Sequence, residues 1–166
     1  MIFLVGFMGS GKTSVGRGVA ERRGWKFLDT DALAEQREGR TIEEIFADSG
    51  EAHFRRLEWE ILRSLEAGRQ TVVATGGGLF QSATNRRFMG QIGTSVWLDS
   101  SLEECSRRGA PATGRPLWTD GDPARLRALF EKRRAAYALA RVRIAPVGPP
   151  ERVAEDLLER LRPFFR

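Results

Sequence analysis

The chain has 166 residues, 41% hydrophobic and 30% charged, which is enough for one buried core and too polar for a membrane protein or a wholly disordered one. Its 27 basic residues outnumber 22 acidic ones for a net charge of +5. All but Lys12, Lys26 and Lys132 are arginines, scattered and interleaved with acids, so small anionic substrates rather than nucleic acid are the expected partners. One cysteine, Cys105, allows no internal disulfide and fits a reducing cytoplasm, and one histidine, His53, excludes a His-rich zinc site. The apolar opening from Met1 to Met8 is far short of the ~20 residues of a spanning helix and has no basic leader, so neither a membrane partner nor secretion is expected.

In chain order, Ile2-Phe-Leu-Val5 predicts a strand, followed by a glycine-rich turn and a helix from about Lys12 to Arg23. A second strand is expected near 25–28, ending at Asp29-Thr30-Asp31. Phe54, Leu57, Ile61, Leu62 and Leu65 share one helical face. Thr-Val-Val-Ala-Thr at 71–75 predicts the third strand, closed by Gly76-Gly77-Gly78, and Thr-Ser-Val-Trp-Leu at 94–98 predicts the fourth. The segment from Gly109 to Pro116, with its small residues and prolines, reads as a mobile loop. Asp122-Pro123 announces a helix, a capping residue before a proline at the first helical position. A last strand near 142–147 and a helix carrying Val153, Leu157, Leu158 and Leu161 complete the pattern. Strands alternating with helices predict an α/β fold whose mostly parallel sheet is covered on both faces.

Gly6-Phe-Met-Gly9-Ser10-Gly11-Lys12-Thr13 matches G-x-x-x-x-G-K-[ST] in full, between a strand and a helix. The glycines let backbone N–H groups face inward as an anion nest, and the helix N-terminus adds positive potential. Lys12 adds a point charge for the outer phosphates, and the Thr13 hydroxyl can ligate Mg²⁺. The expected ligand is a nucleoside triphosphate. The loop does not say how the phosphate is used. Asp99, after Val96-Trp97-Leu98, could be a metal-side aspartate or an ordinary strand-end residue.

A second site is expected at the carboxyl end of the second strand, where open α/β sheets place ligands. If the segment is extended, Asp29 and Asp31 point to the same side, one towards the metal and one towards a substrate hydroxyl. Asp31 could equally cap the helix that follows. Arg55 lies one helical turn from Glu51 and Glu58, which allows a surface ion pair. Arg133 shares the apolar face of Leu126, Phe130 and Tyr137, where it either finds a bidentate carboxylate or snorkels to solvent. The triple glycine allows the backbone to approach a ligand closely.

Together these residues resemble the shikimate kinase family, over nearly the whole chain. The resemblance is carried by the loop at 6–13, Asp-Thr-Asp at 29–31, Gly39-Arg-Thr-Ile-Glu-Glu-Ile-Phe46, and Phe54-Arg55-Arg-Leu-Glu58. Gly76–Gly78, Arg115-Pro116-Leu117 and Arg133-Arg-Ala-Ala-Tyr137 complete it. It implies a nucleoside-monophosphate-kinase-like three-layer fold, with a five-stranded parallel sheet of order 2-3-1-4-5. The chain from 1 to 166 would be one kinase domain, with a substrate segment at about 29–58 and a lid at about 109–118. It implies ATP-dependent phosphorylation of the 3-hydroxyl of shikimate, towards chorismate and the aromatic amino acids, by a cytoplasmic monomer.

The resemblance also assigns roles. Asp31 would meet the substrate hydroxyls and accept the proton, with Lys12 and the lid residue Arg115 on the phosphates. Gly9, Ser10, Gly11, Lys12, Thr13 and Ser14 would cradle the nucleotide, with Arg108 near the adenine. Arg55 and Arg133 would hold the substrate carboxylate, the Gly77 backbone another substrate group, and Phe46, Phe54 and Glu58 would line or brace the pocket. Thr13 would ligate Mg²⁺ with Asp29 nearby. Three departures stand out: Ala34 for a larger aliphatic residue, Trp118 after the lid Arg-Pro-Leu, and Pro146-Val-Gly-Pro-Pro150 without a basic residue. The nearest rival is another small phosphate-loop kinase, acting on gluconate or a nucleoside monophosphate.

Overall fold

The computed structural model describes residues 1–66, 70–109 and 122–164. The strands are β1 (Ile2–Val5), β2 (Lys26–Asp29), β3 (Thr71–Ala74), β4 (Thr94–Leu98) and β5 (Val142–Ile144). The helices are α1 (Lys12–Arg23), α2 (Thr30–Glu38), α3 (Ile42–Ser64), α4 (Ala83–Ile92), α5 (Leu102–Gly109), α6 (Pro123–Tyr137) and α7 (Pro150–Leu161). All five strands are parallel, in the order β2-β3-β1-β4-β5. β5 stops at Ile144, short of the expected 147, because a turn into Pro146 and Gly148 follows.

Strand alternation builds both layers. Ile2 and Leu4 face α1 and α7, packing with Val15, Val19, Val153 and Leu157, while Phe3 and Val5 face the other side with Leu62, Met89, Phe130 and Tyr137. β1 is wholly buried between them, as a central parallel strand must be. A third cluster, Ala34, Ile45, Phe54, Leu57 and Ile61, joins α2 to α3 at the edge of the sheet. Ala34 is fully buried there, so a small side chain sets the spacing of the two helices.

Local signals fix the ends of these elements. Thr41 and Glu44 form a capping box at the start of α3: Glu44 N donates to Thr41 Oγ1 at 3.2 Å, and Thr41 N donates to Glu44 Oε2 at 2.7 Å. Gly50, at φ 76° and ψ 170°, kinks α3 and re-aims its second half, which carries Phe54, Arg55 and Glu58. Asp122 caps α6 with proline at its first position, as the sequence predicts.

β1 lies between β3 and β4, so the chain crosses to opposite sides of it. The crevice beyond the carboxyl ends of these strands is the topological switch point at which α/β sheets bind ligands. Asp29 ends β2, and Thr75 to Gly78 and the glycine-rich loop follow strand ends at this edge.

Candidate active site

The loop between β1 and α1 curls into a cradle. Gly9 and Gly11 adopt φ of 78° and 92°, open to glycine at little cost, and a Cβ on Gly9 would run into the Cys105 backbone. Lys12 Nζ bridges the loop, donating to the carbonyls of Gly6 at 3.0 Å and Phe7 at 2.8 Å. Ser10 is buried, and its carbonyl lies 3.4 Å from the Ser100 hydroxyl. Thr13 and Ser14 open α1 with exposed hydroxyls.

Asp29 joins this cradle to the next helix. Its Oδ2 accepts from Thr13 Oγ1 at 2.9 Å, and its Oδ1 accepts from the backbone N–H of Asp31 at 3.0 Å. It is therefore Asp29 that caps α2, and Asp31 lies in the first turn of the helix. The extended geometry expected for 29–31 does not occur, because β2 ends at Asp29 and α2 begins at Thr30. The two carboxylates converge on the cleft through a cap and a helical turn instead of strand alternation.

The glycines at 76–78 are required by close approach, since none of the three has a positive φ. A Cβ on Gly76 would overlap Asp31 Oδ1 and come within 3.0 Å of Glu58 Oε1. One on Gly77 would lie 3.2 Å from Arg133 Nη1, and one on Gly78 would overlap the Arg55 guanidinium. The segment is thus a backbone strip against which four functional side chains pack. It is held by Gly76 N donating to buried Thr30 Oγ1 at 2.8 Å and by Tyr137 OH donating to Gly77 O at 2.5 Å.

Arg55 donates from Nη1 to Glu58 Oε2 at 2.6 Å and from Nη2 to Glu51 Oε1 at 2.9 Å. The expected ion pairs form, but they are not merely surface contacts, because Glu58 is only 1% exposed. Its other oxygen, Oε1, is buried without a hydrogen-bond partner among the described residues. Burial pushes the Glu58 carboxyl up to about 7 against the attraction of Arg55, with Asp31 adding to the rise. Arg133 does not snorkel. It is 7% exposed, its guanidinium sits 5.9 Å from the centroid of the Phe7 ring, and no carboxylate pairs with it among the described residues. Burial holds it below the ordinary arginine value, and Arg55 lowers it further, yet the group stays cationic.

One cavity of about 620 Å³ unites these parts. It is lined by the loop from Gly9 to Ser14, by Asp29, Asp31, Phe46, Phe54, Arg55 and Glu58, and by Gly77, Arg108 and Arg133. Every site residue predicted from the sequence is among them except Arg115, which with the lid core and Trp118 lies outside the described residues. Asp99 does not line it; its carboxylate pairs with Arg143 and Arg134, the strand-end reading. Pro146, Gly148 and Pro150 also line the cavity, within the segment that departs from the family pattern by lacking a basic residue. Thr30 and Tyr137, which hold the glycine strip, stand inside the Asp-Thr-Asp and Arg133-Arg-Ala-Ala-Tyr137 motifs, but the sequence assigns neither a role of its own.

Comparison with known proteins agrees with this arrangement. The family model described as shikimate kinase matches residues 8–162. The shikimate kinase of Persephonella marina is 41% identical over 97% of this chain and 98% of its own length, and that of Synechococcus elongatus is 46% identical over 95% and 84%. The structure of the Acinetobacter baumannii shikimate kinase in complex with shikimate superposes with a TM-score of 0.93, at 37% identity over 99% of this chain and 93% of that one. Sheet order, cleft and sequence therefore lead to one conclusion: this chain belongs to the shikimate kinase family.

Proposed function

We propose that the chain transfers the γ-phosphoryl group of ATP to the 3-hydroxyl of shikimate, giving shikimate 3-phosphate and ADP, a step of aromatic amino-acid biosynthesis. The observation that carries this reading is the meeting of the phosphate cradle with Asp31, Arg55, Arg133 and the glycine strip in one cleft. One wall suits a triphosphate, and the other presents a carboxylate for hydroxyls beside two guanidiniums for a carboxylate.

Gly9 to Thr13 hold the phosphates through backbone N–H groups, and Lys12 exchanges its loop carbonyls for the outer phosphates. Arg55 and Arg133 grip the substrate carboxylate, the Gly77 backbone meets another substrate group, and Phe46, Phe54 and Glu58 shape the pocket. This orientation turns the 3-hydroxyl towards Asp31 and the γ-phosphorus. As the hydroxyl oxygen bonds to phosphorus and the β,γ-bridging oxygen leaves with ADP, Asp31 takes the hydroxyl proton. Arg115 would act on the phosphates, and Arg108 near the adenine.

Among the described residues no group of three or more His, Cys, Asp or Glu side chains could hold a metal ion. Mg²⁺ does not need such a group, since it binds through one or two oxygen ligands plus substrate phosphates and water. Thr13 Oγ1 and Asp29 Oδ2, 2.9 Å apart at the cradle, are the hard oxygen donors such a site needs. Bound there, Mg²⁺ would neutralise phosphate charge. The whole chain would act as one kinase domain, a cytoplasmic monomer with no nucleic-acid or membrane partner. The single cysteine is free and buried, and no described helix is long and apolar enough to cross a membrane.

The test is a coupled assay of ADP release with ATP, Mg²⁺ and either shikimate or gluconate. Turnover is expected with shikimate alone, and turnover with gluconate alone would overturn the reading.

A further inference from the structure

Behind the carboxylate clamp lies a second cavity of about 630 Å³, which shares Arg55, Gly78 and Arg133 with the first. Arg55 forms part of the wall between them. Its Nη1 edge meets Glu58, which lines only the first cavity, and its Nε and Nη2 edge meets Glu51, which lines only the second. The inner partner is buried and the outer one is 67% exposed, so only the outer carboxylate is readily replaced by a ligand.

The second cavity is strongly cationic. Arg56 and Lys132 line it and not the first, and neither is ion-paired among the described residues. With Arg55 and Arg133 they place four cations around it against Glu51 alone. Helix α4 starts at its rim, with Ser82 as cap and Thr84 and Asn85 lining the cavity, so first-turn N–H groups add positive potential there. Arg133, a buried guanidinium with no carboxylate partner among the described residues, lines this cavity as well as the first. Trp59 supplies an aromatic wall.

We propose that this second cavity is a regulatory site for a small oxyanion, a phosphate or carboxylate group, whose binding weakens shikimate binding through the shared arginines. An oxyanion there replaces Glu51 on the outer edge of Arg55 and draws Arg133 away from the substrate side. Coupling follows from shared residues and needs no large movement. The inference rests on Arg55 and Arg133 being the substrate clamp.

The test measures shikimate binding by calorimetry to enzyme saturated with ADP, with inorganic phosphate, with benzoate, or with chloride at matched ionic strength as the screening control. Phosphate or benzoate is expected to weaken shikimate binding by about fivefold or more. The stronger of the two identifies the group as phosphate or carboxylate. The Arg56→Ala/Lys132→Ala double variant, altered only at exposed residues of the second cavity, should keep its shikimate affinity and turnover and lose the response. Thr84→Glu, which adds a carboxylate to the rim of α4, should weaken shikimate binding without added anion. An equal response in the double variant would locate the anion in the substrate cleft or the phosphate cradle and overturn the proposal, as would no response in the wild type. The direct heat of phosphate binding without shikimate, compared between wild type and double variant, tests the site separately. If Arg133→Ala left shikimate affinity unchanged while that heat was still lost in the double variant, the clamp reading would fail and the oxyanion site would stand without its coupling.

Discussion

Asp29 ties Thr13 to the start of α2, one carboxylate oxygen on each. The glycine-rich cradle and α2 are thus joined through a single side chain, and substitutions there separate two roles. Asparagine caps helices as well as aspartate does, so Asp29→Asn should keep its melting temperature while demanding more Mg²⁺ for half-maximal turnover. Asp29→Ala loses the cap as well and should be destabilised by about 1 kcal/mol. Thermal melts and Mg²⁺ titrations of the two variants make the comparison, and an unchanged Mg²⁺ requirement in both would remove Asp29 from the metal's surroundings.

Because Asp29 caps α2, the cap does not require the Asp31 side chain. Asp31→Asn keeps the shape and a hydrogen bond to the hydroxyl but accepts no proton. Turnover should fall by ~10²–10⁴-fold with ATP affinity unchanged. A fall of less than about tenfold would leave Asp31 a positioning group only.

Glu58 makes stability depend on pH. Its folded-state value, raised to about 7 from an ordinary 4.5, means that the folded protein holds this proton more tightly than the unfolded chain does. The resulting stabilisation is fully present below about pH 4.5 and is lost as pH rises through about 7. The size of the loss is at most about 3 kcal/mol, since each pKa unit corresponds to ~1.4 kcal/mol and Arg55 shares the site. Glu58→Gln lacks this proton equilibrium. Denaturant unfolding across pH 4 to 8 should therefore show the wild type losing stability relative to Glu58→Gln, and parallel profiles would contradict the raised value.

Much of the site was legible because its chemistry needs residue types in fixed local order. The Gly6–Thr13 loop and the Asp122-Pro123 cap form within a few residues, so their sequence signals are complete. Asp29 and Asp31 were legible as a pair, but which one caps depends on where β2 stops pairing with β3, at Asp29 opposite Ala74. The triple glycine signalled close approach but not its object: the side chains on it come from α2, α3 and α6, which only the folded chain assembles. The second cavity had no signature at all, because Arg56, Lys132 and Ser82 sit on three different helices or their caps.

Gly76 tests that strip directly. Gly76→Ala puts a methyl group in overlap with Asp31 Oδ1 and 3.0 Å from the buried Glu58 Oε1, so the Asp31 carboxylate must shift. Turnover should drop by at least about tenfold, since small misplacements of a catalytic group cost up to ~10²-fold. ATP binding should be retained. Full activity of Gly76→Ala would show that the strip has room the geometry does not indicate.

Arg133 sets function against stability. It is buried on the apolar face of α6, over Phe7, with no carboxylate partner among the described residues, so the free protein bears the cost of a desolvated charge. The substrate carboxylate would supply the missing partner, shared with Arg55. Arg133→Met keeps most of the volume, removes the charge and gives up one cation–π contact. The free variant should be more stable by ~1 kcal/mol, a rise of about 2–4 °C in melting temperature for a chain of this size. Its shikimate affinity should fall ten- to a hundredfold, because a hydrogen bond to a charged group contributes ~1.5–3 kcal/mol. Arg55→Ala should cause a similar fall, and the two losses should be less than additive, since both arginines contact one group. Lysine at 133 should restore affinity only in part, for lack of the planar fork. Shikimate should then raise the melting temperature of the wild type and hardly that of Arg133→Met. An analogue with a neutral amide in place of the carboxylate separates charge recognition from shape. The wild type should bind the analogue much more weakly than shikimate, whereas Arg133→Met should discriminate little. Equal discrimination by both would mean that Arg133 does not read the carboxylate, and its burial would then be a cost without a return in binding.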